Sequence, residues 1–146
     1  MNKIIISNAT LADIQTMVKW GEQSPELWGD SSGGWYTETG LGKLVTDKDR
    51  SICLVSKISD RITGMCITHN FGEWAYCEAL YVDKDFRKLG IAQLLIDKTI
   101  QILKEKGCTM IGTFVEVDNP VSIKFHEKIG YKKGFQFHYM SKLIDK

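Results

Sequence analysis

Three apolar runs crowd the middle of the chain: ICLVSKI at 52–58, ITGMCITHN at 62–70 and WAYCEALYV at 74–82. Each has the length of a strand and is enriched in β-branched, cysteine and aromatic residues. The connections SDR and FGE hold three residues apiece, far too few for a parallel crossover, which takes about a dozen. The runs must therefore pair antiparallel, through hairpins. A sheet of that kind needs other elements to cover its faces.

Those elements flank it in order. KIIIS at 3–7 reads as a short strand. Thr10 caps a helix, with Asp13 in the capping-box position and Leu11, Ile14, Met17 and Val18 as its apolar stripe. Residues 23–39 are rich in Gly, Ser and Trp and read as loop, leading into a second helix over 37–47. A long helical pattern then spans 88–106 and ends at Gly107. MIGTFVEV at 110–117 reads as a strand, and Asn119-Pro120 opens a helix that Gly130 closes. Residues 131–144 read as one or two final strands. No repeat or linker interrupts this order, so residues 1–146 form a single domain. The fold class is α/β (α+β), a mixed, mostly antiparallel central sheet flanked by helices.

Composition excludes several functions. The chain has 146 residues, 43% of them hydrophobic, which suits one full core. Formal net charge is +1 and no basic and aromatic residues cluster, so no nucleic-acid partner is expected. No apolar run approaches the ~20 residues that cross a bilayer, and the N-terminus lacks a signal core, so the expectation is a cytoplasmic protein without a membrane partner. Cys53, Cys66, Cys77 and Cys108 are scattered and read as small buried hydrophobes. His69, His126 and His138 show no metal-ligand spacing, and no metal is expected. WGDSSGGW and TGLGKLV look like a protease nucleophile segment and a P-loop, but each lacks residues its motif requires.

FRKLGIAQLL at 86–95 sits where the third strand gives way to the long helix. A helix N-terminus carries unpaired N–H groups and the positive end of a macrodipole. Gly90 and Ala92 leave room for a close approach, which suits an anion such as phosphate. A helix that merely begins with basic residues fits the same stretch.

A wider pattern resolves the choice. Arg87, Gly90 and Ala92 match Q/R-x-x-G-x-G/A, the pyrophosphate signature of the GNAT superfamily of acyl-CoA-dependent N-acetyltransferases. Asn119, Glu127, Gly130 and Tyr131 match its late signature, N-x-x-A-x-x-x-Y-E-x-x-G-F, with Ser122 in the alanine position. The chain resembles this family over roughly residues 50–135. The resemblance implies a sheet splayed at its middle, between the strands at 78–82 and 110–117, with acetyl-CoA in the gap. It implies that the backbone of Leu80, Tyr81 and Val82 bonds the pantetheine arm as an added strand would. Arg87, Lys88, Leu89, Gly90, Ile91 and Ala92 would cradle the pyrophosphate, and Asn119 would bond the arm from its far side.

Two residues are candidates for the chemistry. Glu78 alternates with Trp74, Tyr76 and Leu80 along its strand, and is placed like the acidic residue of aminoglycoside 6′-N-acetyltransferases, which orients or deprotonates the acceptor. An ordinary polar residue on an exposed strand face is the alternative. His126 stands where many relatives have tyrosine. A tyrosine hydroxyl titrates near ~10 and imidazole near ~6.5, so the proton donor to the departing thiolate changes character here. A solvated helix histidine is the plainer account.

The expected activity is direct acetyl transfer from acetyl-CoA to a primary amine, since no cysteine occupies a signature position. Trp28, Asp30 and Trp35, with Glu78, are candidate acceptor-binding residues. Between Trp20 and Gly42 the chain carries Glu22, Glu26, Asp30 and Glu38 and no Lys or Arg. That field favours a cationic acceptor, a small molecule or a peptide. A non-catalytic acyl-CoA-binding module and a protein N-terminal acetyltransferase are the rival readings. The acceptor's identity and the oligomeric state, monomer or homodimer, stay open.

Overall fold

A computed structural model describes residues 2–24, 36–142 and 144. Five strands form one sheet in the order β1 to β5. Strand β1 (Ile4–Asn8) pairs antiparallel with β2 (Ser51–Ile58), β2 with β3 (Arg61–Asn70) and β3 with β4 (Trp74–Val82). Strand β5 (Met110–Thr113) joins β4 in parallel. The antiparallel meander expected from the short connections is therefore present. Its first turn is tighter than SDR implies, because β3 begins at Arg61. Ser59 and Asp60 take positive φ of 48° and 66°, the geometry of a two-residue hairpin that follows the strand twist.

Helices α1 (Ile14–Gln23) and α2 (Glu38–Thr46) cover one face. Ile14, Met17, Trp20, Leu41 and Val45 pack there against Val55, Met65, Ile67 and Ala79. Helix α3 (Ile91–Glu105) covers the other face, with Ile91, Leu95 and Leu103 against Leu54, Cys66, Ala75 and Cys77. Burying each such large side chain contributes about 1.5–3 kcal/mol. The Asp13 carboxylate receives the Thr10 backbone N–H at 2.8 Å and meets Lys57 Nζ at 3.1 Å, which ties the entry of α1 to β2. Helix α4 (Pro120–Lys128) starts at Asn119, whose Oδ1 accepts from the Ser122 backbone N–H at 3.1 Å.

Two sequence expectations change. The strand read at 110–117 stops at Thr113, and no strand is found over 131–142. Phe135, Phe137 and Tyr139 alternate there as strand residues do, yet all three are exposed. Side-chain alternation is local, whereas a strand also needs a hydrogen-bonded neighbour, and β5 offers an edge of only four residues.

Gly64 is where sheet and helix come closest. A Cβ on it would lie 2.8 Å from Ser56 Oγ, 3.0 Å from the Tyr81 carbonyl and 3.2 Å from Ile91 Cγ2. Gly64→Ala should destabilise the protein by about 1–3 kcal/mol through overpacking, lowering Tm by roughly 2–4 °C per kcal/mol. Thermal unfolding of the variant checks this; an unchanged Tm would mean that α3 is not seated against β3 as described.

Candidate active site

The site begins with a broken ladder. Strands β4 and β5 pair from Trp74–Met110 to Cys77–Thr113 and then part. Thr113 Oγ1 donates to the Cys77 carbonyl at 2.9 Å as the last link. Strand β4 continues to Val82 with no strand partner on that side among the described residues. Unpaired backbone groups left along Glu78–Val82 are what an extended amide-bearing chain can bond. The expected splay between residues 78–82 and the end of the next strand is thus present in the pairing itself.

A bulge sits at the same place. Across from β4, Ile67 faces Ala79 while Thr68 faces Cys77, so Glu78 is the extra residue. The bulge changes the parity of the strand. Ala75 and Cys77 point into the α3 face before it, and Leu80 and Val82 do so after it. Ala79 and Tyr81 pack on the α1–α2 side. Leu80 therefore does not share Glu78's face, as simple alternation had it, because one inserted residue reverses the rest of the strand.

Glu78 meets two partners that the sequence reading missed. Its Oε2 accepts a hydrogen bond from the Tyr36 hydroxyl, and His69 Nε2 lies 3.3 Å from the same oxygen. Tyr36 and His69 are 3.2 Å apart. Tyr36 precedes α2 and His69 lies near the end of β3, 33 positions apart in sequence; the β3–β4 pairing brings His69 to Glu78, and the packing of α2 on the sheet brings Tyr36. Burial pushes the Glu78 carboxyl up to about 7 and moves the His69 ring below its ordinary value. A carboxylate in that range is a base at neutral pH that still holds a captured proton.

The turn before α3 forms the second part. Lys88 and Gly90 have φ of 65° and 82°, both left-handed. That keeps the helix from starting before Ile91, later than the expected 88. The first helical bond runs from the Leu94 N–H to the Gly90 carbonyl at 3.1 Å. The N–H groups of Ile91, Ala92 and Gln93 therefore precede any intrahelical acceptor. Among the described residues nothing lies within 4 Å of where a Gly90 Cβ would stand. Positive φ, open space and free donors together fit a diphosphate. Arg87 Nε donates to the Val82 carbonyl at 2.9 Å and its guanidinium lies 5.6 Å from the Tyr81 ring centre. Leu89 is exposed beside it. Asp83 and Asp85, which would repel phosphate, face Arg61 at 3.3 and 3.9 Å.

His126 is not a solvated helix residue: it is 9% exposed. Its ring lies against Phe125 and Tyr131, at 5.1 and 5.0 Å between centres. Nδ1 donates to the Ser122 carbonyl at 2.8 Å, leaving Nε2 for any other partner. The Tyr131 hydroxyl is buried without a partner among the described residues. Asn119 uses one lone pair of Oδ1 to cap α4, and its amide N–H groups remain for a ligand. Trp28, Asp30 and Trp35 lie outside the described residues.

Comparison with known proteins agrees with this arrangement. The model of the acetyltransferase (GNAT) family matches residues 15–131. An aminoglycoside N(6′)-acetyltransferase type 1 from Acinetobacter haemolyticus is 26% identical over 154 aligned positions, covering 99% of this chain and 100% of the relative. An uncharacterized N-acetyltransferase from Methanocaldococcus jannaschii is 34% identical over 61 residues, which is 42% of this chain and 27% of that relative. The PaiA N-acetyltransferase of Thermoplasma acidophilum, solved in complex with coenzyme A, superposes with a TM-score of 0.78 at 17% identity, over 89% of this chain and 90% of that one. The parted strands, the open helix terminus and the family match lead to one conclusion: the chain belongs to the GNAT acetyltransferase family and is an N-acetyltransferase that uses acetyl-CoA.

Proposed function

We propose that the protein acetylates a cationic primary amine, a small molecule or a basic peptide, with Glu78 as the base that prepares the amine. The observation that carries this reading is the Glu78 carboxyl, held on a bulge beside the parted strands. Acetyl-CoA supplies the activated acetyl group. Glu78 takes a proton from the acceptor's nitrogen: the N–H bond breaks, its electron pair stays on nitrogen, and the proton joins a carboxylate oxygen. The pair so exposed is what attacks. The backbone of Leu80, Tyr81 and Val82 binds the donor's arm, although the Val82 carbonyl must first be released by Arg87 or bonded from its other lone pair. The turn from Arg87 to Ala92 binds its phosphates, Asn119 donates to the arm from its amide, and His126, whose Nδ1 proton goes to the Ser122 carbonyl, would donate to the departing sulfur from Nε2 only as imidazolium.

The acceptor's charge rests on two supports. Glu22, Glu26, Asp30 and Glu38 lie between Trp20 and Gly42 without a basic residue, and clustered charge concentrates the opposite charge in a cleft. One relative over the full chain is an aminoglycoside acetyltransferase, and aminoglycosides are polycations. Trp28, Asp30 and Trp35 are proposed to line the acceptor side. Screening polyamines, aminoglycosides and basic and acidic peptides for acetyl-CoA-dependent acetylation by mass spectrometry tests the class. An anionic best acceptor would overturn the charge argument and leave the acetyl transfer standing.

Gly90→Asp puts a side chain on a left-handed residue and a carboxylate into the phosphate cradle. Acetyl-CoA affinity measured by calorimetry should fall at least tenfold, while Arg87→Ala should cost less because the backbone makes most of the cradle. Equal affinity of Gly90→Asp and the native protein would place the phosphates elsewhere. His126→Ala should lower kcat more than it weakens acetyl-CoA binding; native turnover in that variant would return His126 to a packing role.

Glu78→Gln should lower kcat/KM by about a hundredfold or more, and the native activity should rise with pH through about 7 as the carboxyl ionises. Stability runs the other way. The folded value lies above the ordinary 4.5, so the folded state keeps a proton that the unfolded chain releases. The resulting stabilisation is complete at low pH and is lost as pH rises to about 7. Thermal melts should therefore show Glu78→Gln melting above the native protein at pH 8, with the two converging near pH 4.

A further inference from the structure

We propose that Tyr36 and His69 are positioning residues that hold Glu78 by Oε2, so that Oε1 alone receives the acceptor's proton and the pair sets the pH range in which Glu78 is ionised. The inference rests on Glu78 being the base. Its ground is the asymmetry of the carboxylate. Tyr36 and His69 both bond Oε2, whereas no bond from the described residues reaches Oε1, and that oxygen is not among the buried unsatisfied atoms. One oxygen is thus anchored and the other is open.

Proton bookkeeping supports the same roles. An ionised carboxylate only accepts hydrogen bonds. The Tyr36 hydroxyl has one proton and gives it to Oε2, so His69 must bring its own on Nε2. Burial keeps His69 below its ordinary value, so at neutral pH the ring is uncharged and is the Nε2–H tautomer. Two neutral donors favour the ionised carboxylate, opposing the burial that pushes Glu78 up.

Among the described residues, no fixed charge touches the carboxylate. Along β4 the neighbour on this face is Tyr76, whose ring stacks on His69 at 6.2 Å. Phe114, after β5, meets Tyr76 at 5.4 Å, and Tyr139 from the C-terminal segment acts on the Tyr76 hydroxyl. On the side of α2, His69 lines an open cavity of about 590 Å³ with Lys43, Asp47 and Arg50. Those charges flank His69 without bonding Glu78, so among the described residues the Tyr36 hydroxyl and the His69 imidazole are its direct partners.

The test titrates Glu78 directly by carboxyl carbon NMR on glutamate-labelled protein, with Glu78→Gln assigning the signal. The native midpoint should lie near 7. Tyr36→Phe and His69→Ala should each raise it by roughly half to one pH unit, while His69→Gln, whose amide can donate from the same place, should lie nearer the native value. Identical midpoints in the native protein, Tyr36→Phe and His69→Ala would overturn the inference. The acetylation arm separates it from the reading beneath it. If Glu78→Gln keeps native kcat, Glu78 is not the base and both fall. If Glu78→Gln is inactive and the midpoints do not move, the base stands and only the positioning role is lost.

Discussion

The parting of β4 from β5 after the Cys77–Thr113 pair is the constraint on which the rest of the structure depends. A parallel ladder that ran the full strand would leave no backbone group for a ligand. Ending it after four pairs exposes one side of Glu78–Val82 while β3 still holds the other. The unsatisfied groups belong to a strand that the core keeps rigid, so a bound amide chain completes a sheet already ordered. Binding on such an edge loses little entropy to ordering the protein, which is why we propose it for the cofactor's arm.

The bulge at Glu78 falls at the same interruption. An extra residue at the end of the ladder turns Leu80 and Val82 toward α3 and Tyr81 toward α1, while it sets Glu78 beside His69 and Tyr36. Placing a carboxyl there costs stability at neutral pH, since its ionised form is partly desolvated. That cost is what brings its proton affinity into the working range of a base. Two neutral donors limit it without cancelling it.

At the turn proposed to hold the phosphates, backbone conformation decides more than side-chain charge. Left-handed Lys88 and Gly90 delay α3 until Ile91, which itself is buried against the sheet. The free N–H groups of the first turn are therefore fixed relative to β4 by packing at Ile91 and by the close approach at Gly64. Arg61, spread over the Phe86 ring at 4.7 Å, offsets the aspartates that precede the turn.

The order of elements up to α4 and the antiparallel meander were legible from spacing, because each depends on residues near one another in the chain, whereas the candidacy of Glu78 and His126 came from the resemblance to the family. Short connections allow only hairpins, and Arg87, Gly90 and Ala92 define a turn by themselves. Three things needed the tertiary structure. The burial of His126 depends on Phe125 and Tyr131 closing around it. The loss of the final strands depends on how short an edge β5 offers. The grouping of Tyr36, His69 and Glu78 depends on strand register and on one bulged residue. Register is a relation between distant segments, set by which faces the core can bury, and no local pattern in the chain encodes it.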